Sequence, residues 1–230
     1  MTRMREVDFE PARWCRLPAL APYTPWLERA AQAGPDWPEV DCYRDLFETE
    51  VRFVAPQRRL KAGLDASDID DSYLGRCVGG HVPTRRGNLH DFMNALTWAR
   101  FPKAKMAHCR RQVAFAKARG RHTNRLRTAE QDRLAMIDEG GILQAGDQPA
   151  LCFGHGLLED AVFGRFSFGF RLRVDSLEDS AIAHILEKVP TREWTRERIP
   201  FVAPPEPQGA HHRVSPFHAL QIENRAGRDR

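Results

Sequence analysis

The sequence lacks any apolar run that approaches the roughly 20 residues needed to span a membrane. Its N-terminus, MTRMREVDFEPARW, carries charges where a secretory signal peptide requires an apolar segment. We therefore expect a cytoplasmic protein that has no membrane partner. The hydrophobic content of 42% and the charged content of 29% are ordinary for a globular chain, which argues against wholesale disorder.

Cysteine is sparse, and its spacing suits neither a disulfide framework nor a zinc ribbon. The 5 cysteines are widely separated, so reduced thiols are expected. Established catalytic motifs are also missing, because there is no Walker loop, G-x-S-x-G elbow, H-E-x-x-H helix or Rossmann glycine fingerprint. A chain of 230 residues is suited to one core. We expect one domain over 1–202, with a Pro/Trp-rich N-terminal wrap at 11–40, and a poorly ordered tail at 203–230.

Periodicity predicts an α+β or α/β fold that is mainly helical and contains a small sheet. The clearest strand is 165–174, RFSFGFRLRV, which alternates apolar and polar side chains, and ALCFG at 150–154 indicates a shorter one. Caps are predicted at Asn88, at Asp175-Ser176 and as a capping box from Thr128 to Gln131. The helices are expected at about 41–50, 89–100, 103–118, 129–140, 156–163 and 176–189.

The predicted helix at 89–100 has a polar stripe beside its apolar one. His90 and Asn94 lie about a quarter-turn from the stripe that contains Phe92 and Leu96. In a structural interpretation, His90 and Asp91 serve the first turn of the helix, where a carboxylate favours the positive end of the dipole. In a functional interpretation, His90 and Asn94 present ligands or hydrogen-bonding groups to a cleft.

The segment FGHGLLED indicates a second candidate site. His155 lies between two glycines after a short strand, and Glu159 follows one helical turn later. Glycines allow close approach of the backbone, as at the strand-to-helix junctions where α/β proteins bind ligands. The simpler alternative is that the glycines form a tight turn and His155 caps the helix.

The segment MIDEGG supplies the acidic candidates. Asp132 and Glu139 share one helix face, whereas Asp138 points towards the side of Leu134. A carboxylate on an apolar face is costly unless it is paired, so an ion pair with an arginine is one interpretation. The other is that these acids join His90 and His155 in a mixed His/carboxylate metal site.

No acid occurs between Asp91 and Glu130, a stretch that contains many arginines and lysines. A solvated basic face is the simpler interpretation, and a surface that binds polyanions is the alternative. The residues predicted to bind nucleic acid or another anion are Lys103, Lys105, Arg110, Arg111, Arg121 and Arg125.

Three ordered motifs, VPTRRGNLHDFMNALTWARFPKAK, RLRTAEQDRLAMIDEGG and FGHGLLE, resemble a bacterial family of uncharacterised proteins known as DUF3025. The resemblance covers about residues 45–200 and implies a cytoplasmic bacterial protein without supplying a reaction. Matched position by position, the family's polar signature falls on Thr84, Arg85, His90, Asp91, Asn94, Asp132, Asp138, Glu139, His155 and Glu159.

The leading hypothesis is a metal-assisted hydrolase that acts on a phosphate-containing substrate, with nucleic acid among the candidates. A divalent ion, whose identity the sequence leaves open, is expected at His90, His155, Asp138 and Glu139. The residues expected to take part in catalysis are Asp91, Arg85, Asn94 and Glu159. The alternative is a non-enzymatic module that binds nucleic acid or protein and uses its His/Asp/Asn network structurally. The oligomeric state stays open in both readings.

Overall fold

A computed structural model describes residues 7–56, 69–118, 128–194 and 197–202, which form a mixed α+β fold dominated by helices. This architecture confirms the predicted fold class. The described helices are α1 (Pro11–Trp14), α2 (Thr24–Ala33), α3 (Tyr43–Phe47), α4 (Tyr73–Val78), α5 (Leu89–Arg100), α6 (Pro102–Ala118), α7 (Ala129–Gly140), α8 (His155–Val162) and α9 (Asp179–Lys188). The described strands are β1 (Arg52–Val54), β2 (His81–Pro83), β3 (Gly141–Ala145), β4 (Leu151–Cys152), β5 (Phe166–Val174) and β6 (Arg198–Val202).

Four strands form the main sheet in the order β4-β3-β5-β6. The central strands β3 and β5 are parallel, with Leu143 opposite Leu172, and the outer strands pair with them in antiparallel fashion. The remaining two strands, β1 and β2, form a separate parallel pair. The strand predicted at 165–174 is confirmed, whereas the one predicted at 150–154 is ordered as a strand only over two residues.

The alternation of β5 does not translate simply into a buried and a solvated face. Leu172 and Val174 are buried as expected, but Phe166 and Phe168 are 62% and 41% exposed. Arg171, which the alternation assigns to the polar side, is buried, and its guanidinium donates to the Glu197 carboxylate at 2.9 Å. The prediction for Arg171 is wrong because the segment leading into β6 places this acid beside it.

Side-chain caps fix the starts of two helices near the candidate site. Asn88 Oδ1 accepts a hydrogen bond from the Asp91 amide at 3.0 Å, which begins α5. Thr128 and Gln131 form the reciprocal capping box that begins α7. Both caps were predictable because each depends on residues only three positions apart.

Helices α6 and α9 cap one another. The Asp179 carboxylate accepts from the Lys103 and Ala104 amides at 2.8 and 2.9 Å, which satisfies the start of α6. Arg111 on α6 donates to the carbonyls of Leu186 and Val189 at the end of α9. The prediction that Asp175-Ser176 caps α9 is wrong, since α9 begins at Asp179 after an extended Glu178.

The N-terminal wrap packs onto α5 through aromatic rings. Phe92 of α5 lies 5.5–5.8 Å, between ring centroids, from Phe9, Trp14 and Trp37. These contacts join the wrap to a single buried apolar cluster that extends from Phe9 to Phe201. Within the described part of the chain, no helix has both the length and the apolar character needed to cross a membrane. The tail predicted at 203–230 lies outside the described residues.

Candidate metal centre

Three helices place one imidazole, one carboxylate and a second imidazole together. His90 comes from the first turn of α5, Glu139 from the end of α7 and His155 from the start of α8. The Nε2 atoms of the two histidines are 3.1 Å apart, and Glu139 Oε2 lies 3.4 Å from His155 Nε2 and 3.9 Å from His90 Nε2. Glu139 and His155 follow His90 by 49 and 65 residues in the chain, and the fold brings the three side chains to one point.

The spacing of these three atoms matches the coordination shell of a first-row divalent ion. A circle through points separated by 3.1, 3.4 and 3.9 Å has a radius of about 2.0 Å, close to the 2.0–2.2 Å bonds that zinc makes to imidazole nitrogen and carboxylate oxygen. These three atoms would hold such an ion, and the Glu139 side chain is 57% exposed, so the centre is open to solvent on that side.

Glycines allow the start of α8 to approach the end of α7. A Cβ atom at Gly154 would lie 2.5 Å from the Glu139 carbonyl oxygen, and one at Gly156 would lie 2.9 Å from it. The Gly141 carbonyl also accepts from the Phe153 and Gly154 amides, both at 2.9 Å. The expectation that these glycines permit close backbone approach is therefore confirmed. The alternative that His155 caps α8 is wrong, because the N-cap is Gly154 and no side chain bonds there.

Glu159 orients the first histidine. Its Oε2 atom lies 2.9 Å from His90 Nδ1, one turn along α8 from His155. This hydrogen bond raises the pKa of His90 above its ordinary value. In the neutral imidazole, a proton on Nδ1 leaves the Nε2 lone pair free, which is the arrangement that metal-bound histidines share with an outer carboxylate.

A second carboxylate faces the outer nitrogen of the other histidine. His155 Nδ1 is buried, has no hydrogen-bond partner among the described residues, and lies 3.9 Å from Asp138 Oδ2. Burial acts to raise the pKa of Asp138, but the Lys105 ammonium holds it well below its usual range. The ionised Asp138 favours a proton on His155 Nδ1, and thus a free lone pair on Nε2.

Asp138 belongs to a buried hydrogen-bonded network that lies behind the centre. The Lys105 ammonium, which is on a residue only 2% exposed, donates to Asp138 and, at 2.8 Å, to Asn94 Oδ1. The Asn94 amide in turn donates to the Tyr73 hydroxyl at 2.8 Å. Both side chains are bonded within this network and not grouped with the three ligand atoms, so the predicted roles of Asp138 as a metal ligand and of Asn94 as a catalytic group stay predictions without support from this geometry. The expected arginine partner of Asp138 is a lysine.

Asp91 and Arg85 form a separate pair at the start of α5. The Asp91 carboxylate accepts from the Arg85 backbone amide at 2.7 Å and from Nε and Nη2 of its guanidinium at 2.9 and 2.8 Å. This pairing occupies two donor groups of Arg85, so the predicted catalytic roles of Arg85 and Asp91 stay predictions without support from this geometry. The place of Asp91 in the first turn of α5 agrees with its structural interpretation. Thr84, from the same signature, is buried and donates to the Val82 carbonyl.

An open cleft of about 750 Å³ leads to the centre. Four carboxylates line it, those of Asp132, Glu139, Glu159 and Asp160, together with the aromatic side chains of β5. The negative potential of such a lining attracts cations and repels polyanions. The predicted common face of Asp132 and Glu139 is confirmed by their places in this cleft.

The basic segment is not a continuous charged surface where it is described. Lys105 is buried, and Arg111 is half-buried and bonded to backbone carbonyls of α9, so the structure gives no support to their predicted roles in binding nucleic acid. Lys103 and Arg110 are exposed. They line a depression that Glu187 shares, which makes its charge mixed. Arg121 and Arg125 lie outside the described residues.

Sequence reasoning missed the roles of Lys105 and Tyr73. A signal for Lys105 was present, since Phe101, Lys105, His108 and Gln112 recur at helical spacing and all are buried. No local signal identifies Tyr73, because its contact with Asn94 depends on how α4 packs against α5 and α6. Burial acts to lower the pKa of His108, but the Asp138 charge and the contact with Cys109 together raise it above its ordinary value.

Residues 64–158 match the model of a family described as "Protein of unknown function (DUF3025)". The match confirms the resemblance over this range, which is less than half of the chain and shorter than the range that the three motifs indicated. It contains His90, Glu139 and His155 and ends one residue before Glu159. No curated protein and no solved structure matches the chain.

Proposed function

We propose that the chain binds a divalent transition-metal ion through His90, Glu139 and His155 and uses it to hydrolyse a small substrate. The observation that carries this proposal is the 3.1 Å separation of the two histidine Nε2 atoms. Two imidazole lone pairs at that distance repel each other unless a proton or a cation lies between them. The Glu139 oxygen within 3.4 Å supplies an anionic third ligand, which favours a cation.

The donor set is most typical of zinc. Two histidines and one glutamate, with one position left for water, form a common catalytic zinc site. The same set with more open positions is used by non-haem iron. The Glu159 carboxylate hydrogen-bonds the outer nitrogen of His90, which fixes that ring and raises its basicity as a ligand, and the Asp138 carboxylate faces the outer nitrogen of His155 at 3.9 Å. Such support favours affinity for the ion over a chance contact of surface groups.

When bound, the ion lowers the pKa of a coordinated water and polarises a carbonyl or phosphoryl oxygen. Asp132, an exposed acid that lines the same cleft two turns of α7 from Glu139, is the candidate base that would accept a proton from that water. In hydrolysis the water oxygen would bond to carbon or phosphorus as the bond to the leaving group breaks, and the proton would pass through the Asp132 carboxylate to that leaving group. Hydrolysis thus adds OH to one fragment and H to the other.

The charge of the cleft favours small substrates over polyanions. Four carboxylates against one divalent ion leave a net negative lining, so an extended nucleic acid would bring phosphates into repulsion. A phosphate-containing substrate remains compatible where a single phosphoryl group reaches the ion. The nucleic-acid alternative stays a prediction that rests on Lys103, Arg110 and the residues outside the described ranges.

The test is metal binding followed by activity on two model esters. We would treat the protein with a chelator, titrate it with Zn²⁺ and Co²⁺ by calorimetry, and record the visible spectrum of the cobalt form. We expect one ion per chain and the intense visible bands of four-coordinate Co²⁺. Turnover of p-nitrophenyl acetate is compared with that of bis-p-nitrophenyl phosphate, which separates acyl from phosphoryl transfer.

Variants of the ligands provide the controls. His90→Ala and Glu139→Gln should abolish the calorimetric signal, whereas His184→Ala, on the exposed side of α9, should leave it unchanged. Retention of full affinity by both ligand variants would refute the centre. Tight binding of the ion without turnover of either ester would leave a metal-binding protein and refute the hydrolase.

A further inference from the structure

A second cavity, of about 310 Å³, lies beside the acidic cleft. Arg133 of α7 and Arg198 of β6 flank it, and Met136, Phe170 and Trp194 supply apolar walls. Met136 and Phe170 also line the cleft that leads to the candidate centre, so the two spaces share a wall. A volume near 300 Å³ is at the lower end of the range for small-molecule sites.

The two arginines have no carboxylate partner within the described parts of the chain. Arg133 donates to the Thr191 hydroxyl at 3.2 Å, and the Arg198 guanidinium lies 4.4 Å from the centre of the Phe168 ring. Each guanidinium therefore keeps most of its five donors available. The positive charges of Arg133 and Arg198 border the same apolar cavity and repel each other. An anion bound between them offsets that repulsion.

A buried donor lies in the same wall. Trp194 is 8% exposed, and its indole Nε1 has no hydrogen-bond partner within the described ranges. An unsatisfied buried donor is costly to the fold unless a ligand or water accepts from it. The cavity thus combines two guanidinium groups with an apolar surface, and the enclosed Trp194 N–H lies behind its wall.

We propose that this cavity binds a small amphipathic anion, with its carboxylate or phosphate between Arg133 and Arg198 and its apolar part against Met136, Phe170 and Trp194. The proposal rests on the proposed function only in assigning this anion as one end of the substrate. The basic cavity and the acidic cleft then orient the substrate, because its charged end is repelled from the carboxylates and its uncharged reactive bond extends towards the ion.

The binding test uses metal-free protein, so that it does not depend on the candidate centre. Phenylacetate, phenyl phosphate and the neutral phenylacetamide are titrated in turn by calorimetry. Both anions should bind, and phenylacetamide should bind at least about tenfold more weakly, since it loses the charge-assisted hydrogen bonds. The preferred anion identifies whether the cavity takes a carboxylate or a phosphate.

Variants locate the bound anion. Arg198→Gln, on an exposed edge strand, and Arg133→Gln should each weaken binding of phenylacetate about tenfold or more. Arg173→Gln is the matched control, because Arg173 is exposed on the same sheet and does not line the cavity. Each of three results would overturn the proposal. These are binding of phenylacetamide as tight as that of the anions, binding of phenylacetate by both cavity variants as tight as by the wild type, and no binding of either anion.

A third measurement separates the cavity from the proposed function. In zinc-loaded protein, Arg198→Gln should raise KM for the mono-p-nitrophenyl ester of glutaric acid and leave KM for p-nitrophenyl acetate unchanged. If the anions bind as expected but no ion binds, the cavity stands and the proposed function fails. If Arg198→Gln changes KM for the two esters by the same factor, the cavity does not bind the acid end of the substrate. The role assigned to it here is then refuted.

Discussion

Glu159 and His90 are 69 residues apart in the chain and meet at 2.9 Å, carboxylate oxygen to Nδ1, on the side of the imidazole away from His155. This contact sets which nitrogen of His90 carries its proton. It also explains why α8 supplies two groups to one centre, since His155 and Glu159 are separated by a single helical turn.

Glu159→Gln should weaken zinc binding by about 10–100-fold, the usual effect of losing an outer carboxylate. The amide keeps the shape of the side chain but removes the charge that makes the ring a better ligand. Competition with a chromophoric chelator measures the affinity. The control is Asp160→Asn on the same helix, which removes an acid of the cleft that does not contact His90. An equal loss in the two variants would show that only the overall charge of the cleft matters.

Metal affinity should fall as the pH is lowered through the raised pKa of His90. The ion needs the unprotonated imidazole, so protons compete with it, and the hydrogen bond to Glu159 moves this competition to higher pH than for an ordinary histidine. Calorimetry in buffers of different ionisation enthalpy would count the protons released. In Glu159→Gln the decline should shift to lower pH. Affinity that is constant from neutral to mildly acidic pH would contradict a histidine-bound ion.

Lys105→Met should destabilise the fold by about 3–5 kcal/mol, because it leaves the buried Asp138 charge without its partner. The double variant Lys105→Met/Asp138→Asn should recover a large part of that loss. The exposed Lys103→Met on the same helix should change stability by no more than about 0.5 kcal/mol. Urea denaturation followed by tryptophan fluorescence provides the measurement. A double variant as unstable as the single one would assign the loss to packing of the lysine stem.

The ion pair between Lys105 and Asp138 predicts how stability depends on pH. Since the folded-state pKa of Asp138 lies below its unfolded value, the pair contributes fully above about pH 4. That contribution is lost as the pH falls towards the folded-state value. The difference in unfolding free energy between the wild type and Asp138→Asn, measured at neutral pH and at pH near 3, should shrink at the lower pH. A constant difference would exclude ionisation as its source.

Gly154→Ala should cost about 1–3 kcal/mol, as overpacking usually does, and should also weaken metal binding. Its new methyl group would lie 2.5 Å from backbone atoms of Glu139, Gly140 and Gly141, which cannot move away as a side-chain tip can. Gly79→Ala is the matched control, because its nearest contact is 3.3 Å. Thermal unfolding and the zinc titration give the two readouts. Equal effects of both substitutions would contradict the close approach of α8.

Sequence reasoning succeeded mostly where the signal is local, although the local cap predicted at Asp175-Ser176 was wrong, and it failed where the outcome depends on packing between elements. The caps at Asn88 and Thr128 and the alternation of β5 each involve residues a few positions apart, so periodicity sufficed. The glycines flanking His155 likewise indicated a close approach. By contrast, Lys105 was assigned to a charged surface, since its burial depends on Asp138 in a helix that begins 24 residues later.

The candidate site shows the same division. His90, Glu139 and His155 were identified by residue type and position, but their ligand roles could not be separated from that of Asp138, which differs only in the direction of its side chain from α7. Asn94 lies one turn from His90 and was grouped with it for that reason. Asn94 is only 6% exposed because α4 and α6 cover its side chain. No spacing of residues within α5 reveals that these helices lie there.

Helix α8 is only eight residues long, yet it carries one ligand and the group that aligns another. Detachment of this helix would remove both at once, so binding of the ion opposes local unfolding of α8. Saturation with zinc should accordingly slow amide hydrogen exchange throughout 155–162, whereas the open cleft gives the ion a route of release that needs no opening of the helix.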